Sequence, residues 1–285
     1  MKTYLDCVPC FVRQTLEASR MVTDDSTIHE KILRAVIDEL NIMSFQNPPP
    51  LMAQKIHKIV REMTNNKDPY KKIKKRFNKF ILKLYPDLKK KVEESVNPFE
   101  TAVCLAIAGN IIDFGVTSTV DEAKVNETID YCLAEKIAAN YLTEFEGAVS
   151  KAENIYYLGD NAGEIVFDKL LIEQLLPKKV TFVVKGGPII NDVTFEDAED
   201  VGITDLAKVV DNGSDAPGTI LDLCSDEFKI KLNEADLIIS KGQANYESLS
   251  DQSKNIIFLL KAKCPVITRD IGCNLGDMVL KIKKQ

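Results

Sequence analysis

Histidine is nearly absent: His29 and His57 are the only two in 285 residues, which excludes a metal cluster built on imidazoles. Long apolar runs are missing too. The longest, Ala102 to Ile112, is interrupted by Gly109 and Asn110 and falls well short of the ~18 residues a membrane-spanning helix needs, so no membrane partner is expected. The start, Met1-Lys2-Thr3-Tyr4-Leu5-Asp6, has no apolar stretch before a small-residue cleavage site, which argues against a secretory signal. There is no internal repeat and no low-complexity segment. With 45% hydrophobic and 28% charged residues the chain is neither disordered nor fibrous in character. Its seven cysteines are odd in number and scattered, a poor disulfide framework that suits a reducing compartment. The expectation is a soluble, cytoplasmic protein.

What is present is unevenly spread. Residues 1–110 carry 19 Lys and Arg against 13 Asp and Glu, whereas residues 111–285 carry 18 against 30. The net charge of -6 speaks against nucleic acid as the main partner. The acidic second part suits a metal site. The basic stretch from Lys67 to Lys91 holds eleven Lys and Arg. Its aromatic residues fall on an apolar stripe, Tyr70, Ile73, Phe77, Ile81 and Leu84, so few remain to stack on bases and the stretch reads as a solvated helix face. No feature sets the oligomeric state.

Two patterns divide the chain near residue 150, giving a helical domain over 1–150 and an α/β/α domain over 151–285. In the first, Ile28, Ile32, Ala35, Val36 and Leu40 repeat at helical spacing, and Asn47-Pro48-Pro49-Pro50 ends that helix. Leu51 to Met63 starts another, and Pro86 is expected to end the basic one. Asn97-Pro98-Phe99-Glu100 combines an N-cap, a first-position proline and a third-position acid, a good helix start. The helix it opens is apolar nearly all round and therefore buried. A further helix is predicted from about Asp121 to Phe145. From Asn154 short apolar runs alternate with helical stretches. Strands are predicted at Ile155–Leu158, Val180–Val184, Lys208–Val210, Leu237–Ser240, Ile256–Leu260 and Pro265–Thr268, with helices at Glu164–Leu176 and around Asp226–Glu234. This alternation implies a three-layer, Rossmann-like α/β fold with a mostly parallel sheet.

In such a sheet ligands bind beyond the carboxyl ends of the strands. Those ends are polar here: Gly159-Asp160-Asn161-Ala162-Gly163-Glu164 after the first strand, Lys185-Gly186-Gly187-Pro188-Ile189-Ile190-Asn191-Asp192 after the second, Asp211-Asn212-Gly213-Ser214-Asp215 after the third, and Lys241-Gly242-Gln243-Ala244-Asn245 after the fourth. Each could be only a turn with a cap. Together they join carboxylate and amide oxygens, which suit a hard divalent cation, to lysines such as Lys185 that suit phosphate. That is the combination of metal-assisted phosphoryl chemistry. Asn110 and Asp113 are three apart on a helix and share a face. They are either buried polar groups satisfied by backbone or a wall of the ligand site. Cys7-Val8-Pro9-Cys10 opens a helix, where a thiol pKa can fall. No strand precedes it as in a thioredoxin-like unit, and one pair supplies two of a structural zinc site's four ligands. Buried thiols are the simpler reading.

These motifs resemble those of the metal-dependent damage-control phosphatases, a family once catalogued as of unknown function and also called acidic-residue-methyltransferase-like. The three strand-end segments around Asp160, Asp192 and Lys241 carry the resemblance, with Tyr246 and Glu247 continuing the last. Cys7 and Cys10 and Ala108-Gly109-Asn110 look like those of the small prokaryotic subgroup. The resemblance implies a helical amino-terminal region on an α/β/α domain and one divalent metal (Mn, Ni, Co or Mg) held by Asp160, Asn161 and Asp192. It implies that Lys241 and Asn245 face the substrate, that Glu164 lines the pocket and that Lys261 contacts phosphate, with Lys263 as the other match. Asp160 would orient or activate water, or attack phosphorus itself. The implied activity is hydrolysis of small phosphorylated metabolites. The disputed name and the acidic Gly-rich loop leave an S-adenosylmethionine-dependent carboxyl methyltransferase as the alternative, and a non-catalytic phosphometabolite-binding protein as a third. Gln243 and Glu247 stand where eukaryotic members tend to have Asp and Arg, so the resemblance does not carry their sugar-phosphate preference to this chain.

Overall fold

The computed structural model describes residues 1–111, 122–134 and 141–284, and statements of absence refer to these. The first helices are α1 (Cys7–Val22), α2 (Ser26–Ile42), α3 (Pro49–Thr64), α4 (Lys71–Glu93) and α5 (Pro98–Ile111). Asp25 caps α2 by accepting from Thr27 N, and Asn97 Oδ1 accepts from Glu100 N at the start of α5. Pro86 does not end α4 but lies inside it. An interior proline costs about 3 kcal/mol. Beyond it Leu88 and Val92 are both buried, and at about 2 kcal/mol each that burial outweighs the break. The helix expected from Asp121 to Phe145 is instead two, α6 (Glu122–Ala134) and α7 (Leu142–Lys151).

The remaining elements are β1 (Ile155–Leu158), α8 (Glu164–Gln174), β2 (Val180–Val184), α9 (Phe195–Asp200), β3 (Lys208–Asp211), α10 (Asp226–Asn233), β4 (Leu237–Lys241), α11 (Gln243–Leu249), β5 (Ile256–Lys261), α12 (Pro265–Ile271) and β6 (Met278–Lys283). The strand expected at Pro265–Thr268 is therefore a helix. Pro265 takes its first position behind an extended Cys264, and Gly272 closes it in a left-handed conformation. The last strand lies further on and was not foreseen. The six strands lie in the order β3-β2-β1-β4-β5-β6, all parallel except β6.

Strand β1 is buried along its whole length and alternates between two cores. Ile155 and Tyr157 join the larger one, with Phe182, Ile239 and Leu259 under helices α4 to α8. Tyr156 and Leu158 face the other side, with Phe258 under α10, α11 and α12. A third, smaller core ties α1, α2 and α3 together through Phe11, Ile32, Val36 and Ile56. The connections leave β1 toward β2 on one side, and β4 lies on the other. The crevice at the carboxyl ends of β1 and β4 is thus the topological switch point.

Candidate active site

The loop after β1 and the loop after β2 are zipped together above the switch point. Gly159 N donates to Val183 O, Val193 N to Asp160 O and Ala162 N to Asn191 O, and an isolated antiparallel bridge joins Asn161 to Asp192. To fold back this way the second loop places Ile190 at a φ of 43°, a strained setting for a β-branched residue. The result sets Asp160, Asn161 and Asp192 side by side on the floor of a cavity of about 300 Å³.

Helix α4 pins both loops from outside. Asn78 Oδ1 accepts from Gly163 N (2.7 Å), and its Nδ2 donates to Asp197 (3.0 Å). One turn earlier Lys74 Nζ donates to Asp197 (2.7 Å) and reaches Asp192 O (3.4 Å). Asp197 in turn accepts from Thr194 N and Oγ1. These residues were missed in the sequence. Lys74 and Asn78 do sit four apart beside the apolar stripe, a signal that this edge of the basic helix is buried.

Glycine permits two close approaches. A Cβ on Gly109 would meet Phe167 at 2.9 Å, so glycine lets α5 lie against α8 and brings Asn110 within reach of the floor. Gly242 has a φ of 78°, and a Cβ there would lie 1.9 Å from Asp160 Oδ2. The Asp160 carboxylate therefore rests directly on the backbone at the end of β4.

Asp160 Oδ2 accepts from Asn110 Nδ2 (2.8 Å) and Asn161 Nδ2 (2.7 Å). Burial, then the charges of Glu164 and Asp192, push its pKa well above the usual carboxylate range, against the pull of Lys263 and Lys185. Burial pushes Asp192 up to about 6, with Lys185 opposing. Asp192 Oδ2 has no hydrogen-bond partner, and Lys185 Nζ stands 3.5 Å away. A buried carboxylate oxygen without a donor is costly unless something positive joins it. Two crowded carboxylates and one amide, with a carboxylate oxygen that accepts no hydrogen bond, fit a hard divalent cation. Among the described residues no three His, Cys, Asp or Glu side chains gather as a preformed cage. The set here differs in having an amide as its third donor.

Several expected substrate contacts lie elsewhere. Lys241 is fully buried beneath the floor, its three protons given to Glu164 (2.6 Å), Asp168 (2.5 Å) and Ala106 O (2.8 Å). Burial disfavours its charge, but Asp168 and Glu164 outweigh that and hold its pKa above the ordinary lysine value. It does not line the cavity, because all its donors are spent. Glu164 is likewise below the floor, taking Lys241, Asn110 and Asn161. Asn245 is a buttress: its oxygen accepts from Thr219 Oγ1, and its nitrogen donates to Gly159 O and Lys241 O. Lys185 donates to Gly218 O below Asp192. Asn110 Oδ1 accepts from Lys261 N. At the cavity wall stands Lys263, not Lys261. Asp113 lies outside the described residues. Cys7 and Cys10 are not the buried thiols expected from the sequence: Cys7 is half-buried and Cys10 exposed, and both line the cavity wall, joined there by Cys264 and Glu247.

Fold and site together define a Rossmann-like α/β/α protein with a buried carboxylate–amide cluster opening on a cavity at its switch point. The chain belongs to the damage-control phosphatase ARMT1-like domain family, which it matches over residues 3–279. It is 40% identical to a damage-control phosphatase of Archaeoglobus fulgidus over 97% of both chains. It is 34% identical to damage-control phosphatase PH1575 of Pyrococcus horikoshii over 98% of this chain and 97% of that one. The crystal structure of the Pyrococcus protein, described as a DUF89 family protein, superposes with a TM-score of 0.92 over the whole of both chains. No described helix is long and apolar enough to cross a membrane.

Proposed function

We propose that this chain is a metal-dependent phosphomonoesterase acting on small phosphorylated metabolites, with one divalent cation held by Asp160, Asn161 and Asp192. The observation that carries the reading is the crowding of buried Asp160 and Asp192 where they open on the cavity floor. The relatives' names support hydrolysis over methyl transfer or simple binding. Mn, Co, Ni and Mg are the candidate ions, all suited to oxygen donors. Bound there, the cation would supply positive charge to the phosphate oxygens and make a bound water more acidic.

The chain's own groups do the rest. Asp160 sits where it can orient a water molecule and take its proton. Lys263, on the wall, can meet phosphate oxygens that the floor does not. Lys241, Glu164, Asn110 and Asn245 hold the floor in place and exclude water from beneath it. We assign residues 1–150 one part of the wall, at Phe11, Pro49 and Ala53, and residues 151–285 the floor and the rest of the wall. The free thiols Cys7, Cys10 and Cys264 suit a reducing cytoplasm.

Phosphate release from p-nitrophenyl phosphate tests the reading. Chelator should abolish turnover, and at least one of Mn, Co, Ni or Mg should restore it. Undiminished turnover in chelator, or calorimetric binding of S-adenosylmethionine by metal-free protein, would sink it.

A further inference from the structure

We infer that the group esterified to phosphate is compact and apolar, of the benzyl or short branched-alkyl type, and not a polyhydroxylated sugar. The inference rests on the phosphatase reading above and adds the substrate class. It comes from what the cavity offers beyond its floor. The space is about 300 Å³, at the small end for a ligand site. Its walls come from four separate parts of the chain and are apolar on each: Phe11 on α1, Pro49 and Ala53 on α3, Pro217, and Val266 on α12.

Three of the polar groups among them, Gln243, Asp6 and Glu247, are already engaged. Gln243 spends its amide nitrogen on Glu247 (2.9 Å) and Cys264 (3.6 Å), and its oxygen accepts from Lys263 N. Asp6 is paired with Arg269 at 2.6 Å. Burial pushes Glu247 up to about 7, so this wall does not carry a full negative charge at neutral pH. A sugar pressed against such walls would give up water bonds from its hydroxyls and find few replacements. Each unmet hydroxyl costs about tenfold in affinity. A benzyl or isobutyl group loses nothing polar on entering and gains by leaving water.

The test compares esters that release the same kind of alcohol, so that leaving-group chemistry cancels. With the metal that restores activity, kcat/KM is measured for benzyl phosphate, isobutyl phosphate and glucose 6-phosphate, all primary-alcohol esters. Calorimetry on the same protein measures binding of benzylphosphonate and of a glucose 6-phosphonate, neither of which can be hydrolysed. The two apolar esters should exceed the sugar ester at least tenfold, and benzylphosphonate should bind correspondingly tighter. Val266→Thr keeps the shape and adds a hydroxyl, and should narrow the ratio several-fold. Ala53→Ser is the second variant should the first fail to fold. Equal binding of the two phosphonates, or tighter binding of the sugar, overturns the inference whatever the turnover shows. No hydrolysis of any ester, with benzylphosphonate still preferred, overturns the phosphatase reading and leaves the apolar subsite standing.

Discussion

Lys241 with Glu164 and Asp168, and Asp160 with Asn161 and Asp192, are two neighbouring clusters that each hold two carboxylates, close to the carboxyl ends of β1 and β4. They differ in closure. In the first cluster a lysine with no exposure gives all its protons to partners, and Tyr157 donates its hydroxyl to Asp168. In the second, carboxylates crowd one another and the group opens on a cavity; each cluster keeps one unbonded carboxylate oxygen, Asp168 Oδ2 in the first and Asp192 Oδ2 in the second. The difference separates a polar cluster that holds the fold from one that awaits a partner. A buried charge network tells little about function until its opening onto a cavity is located.

The sharpest way to break the comparison is to remove one member from each cluster. Asp192→Ala should lower phosphate release by about a thousandfold, on the scale of losing a preorganised electrostatic group. It should lower stability less than the second variant does, since Lys185, 3.5 Å from the lost carboxylate, keeps its bond to Gly218 O. Lys241→Met should do the reverse. It strands Glu164 and Asp168 as buried, unpaired carboxylates, at a cost of about 3–5 kcal/mol in stability. Denaturant titration of the two variants beside an activity assay checks both. A folded, stable Lys241→Met protein that has lost only activity would move Lys241 into the site.

The strand-end loops were legible because everything that marks them is local. Glycine, aspartate and asparagine follow an apolar run within a few residues, and the fold supplies the rest. Contacts across long sequence separations were not. Lys241 reads as a substrate lysine until its partners, 73, 77 and 135 residues away, are seen to consume it. Lys74 reads as one more solvated lysine on a basic helix, since its partner Asp197 lies 123 residues on. Choosing Lys263 over Lys261 depends on where β5 stops, which short apolar runs do not tell. The segment Pro265–Thr268 looks like a strand because Val, Ile and Thr are β-formers. Its terminal proline and glycine decide otherwise. The last strand, Met278–Lys283, pairs only with β5 and exposes its lysines in part, so it lacks the continuous apolar signature of its inner neighbours.

Acidity sharpens the comparison at the next level. Asp192 and Asp168 each have a pKa raised to about 6 from 3.8, and Asp160 is raised as well. A buried acid of this kind binds its proton more tightly folded than unfolded. Metal-free protein should therefore lose stability as pH rises from about 4 through 6, by roughly 3 kcal/mol at most for each of Asp192 and Asp168. A divalent cation at Asp160 and Asp192 replaces those protons and should flatten the part of the slope they contribute. The part from Asp168 should persist, since Lys241 and not the cation faces it. Thermal melts from pH 4 to 8, with and without Mn, distinguish the two contributions. A slope untouched by metal would mean that the open cluster holds no cation.

The smallest expected effect tests whether helix α4 belongs to the first cluster's role or the second's. Asn78 ties Gly163 N, just past Asp160 and Asn161, to Asp197, while Lys74 ties Asp197 to the backbone of Asp192. The helix therefore sets the spacing between the two loops that carry the proposed ligands. Asn78→Ala removes one tie and leaves Gly163 N without its acceptor, at a cost of about 1–3 kcal/mol in stability. If α4 only supports the fold, divalent-metal affinity stays as it was. If it positions the ligands, the dissociation constant for Mn should rise about tenfold, as when an outer partner of a metal ligand is lost. Calorimetric Mn titration at a temperature where the variant is fully folded separates the two, and a stability loss without any change in affinity would return Asn78 to the scaffold.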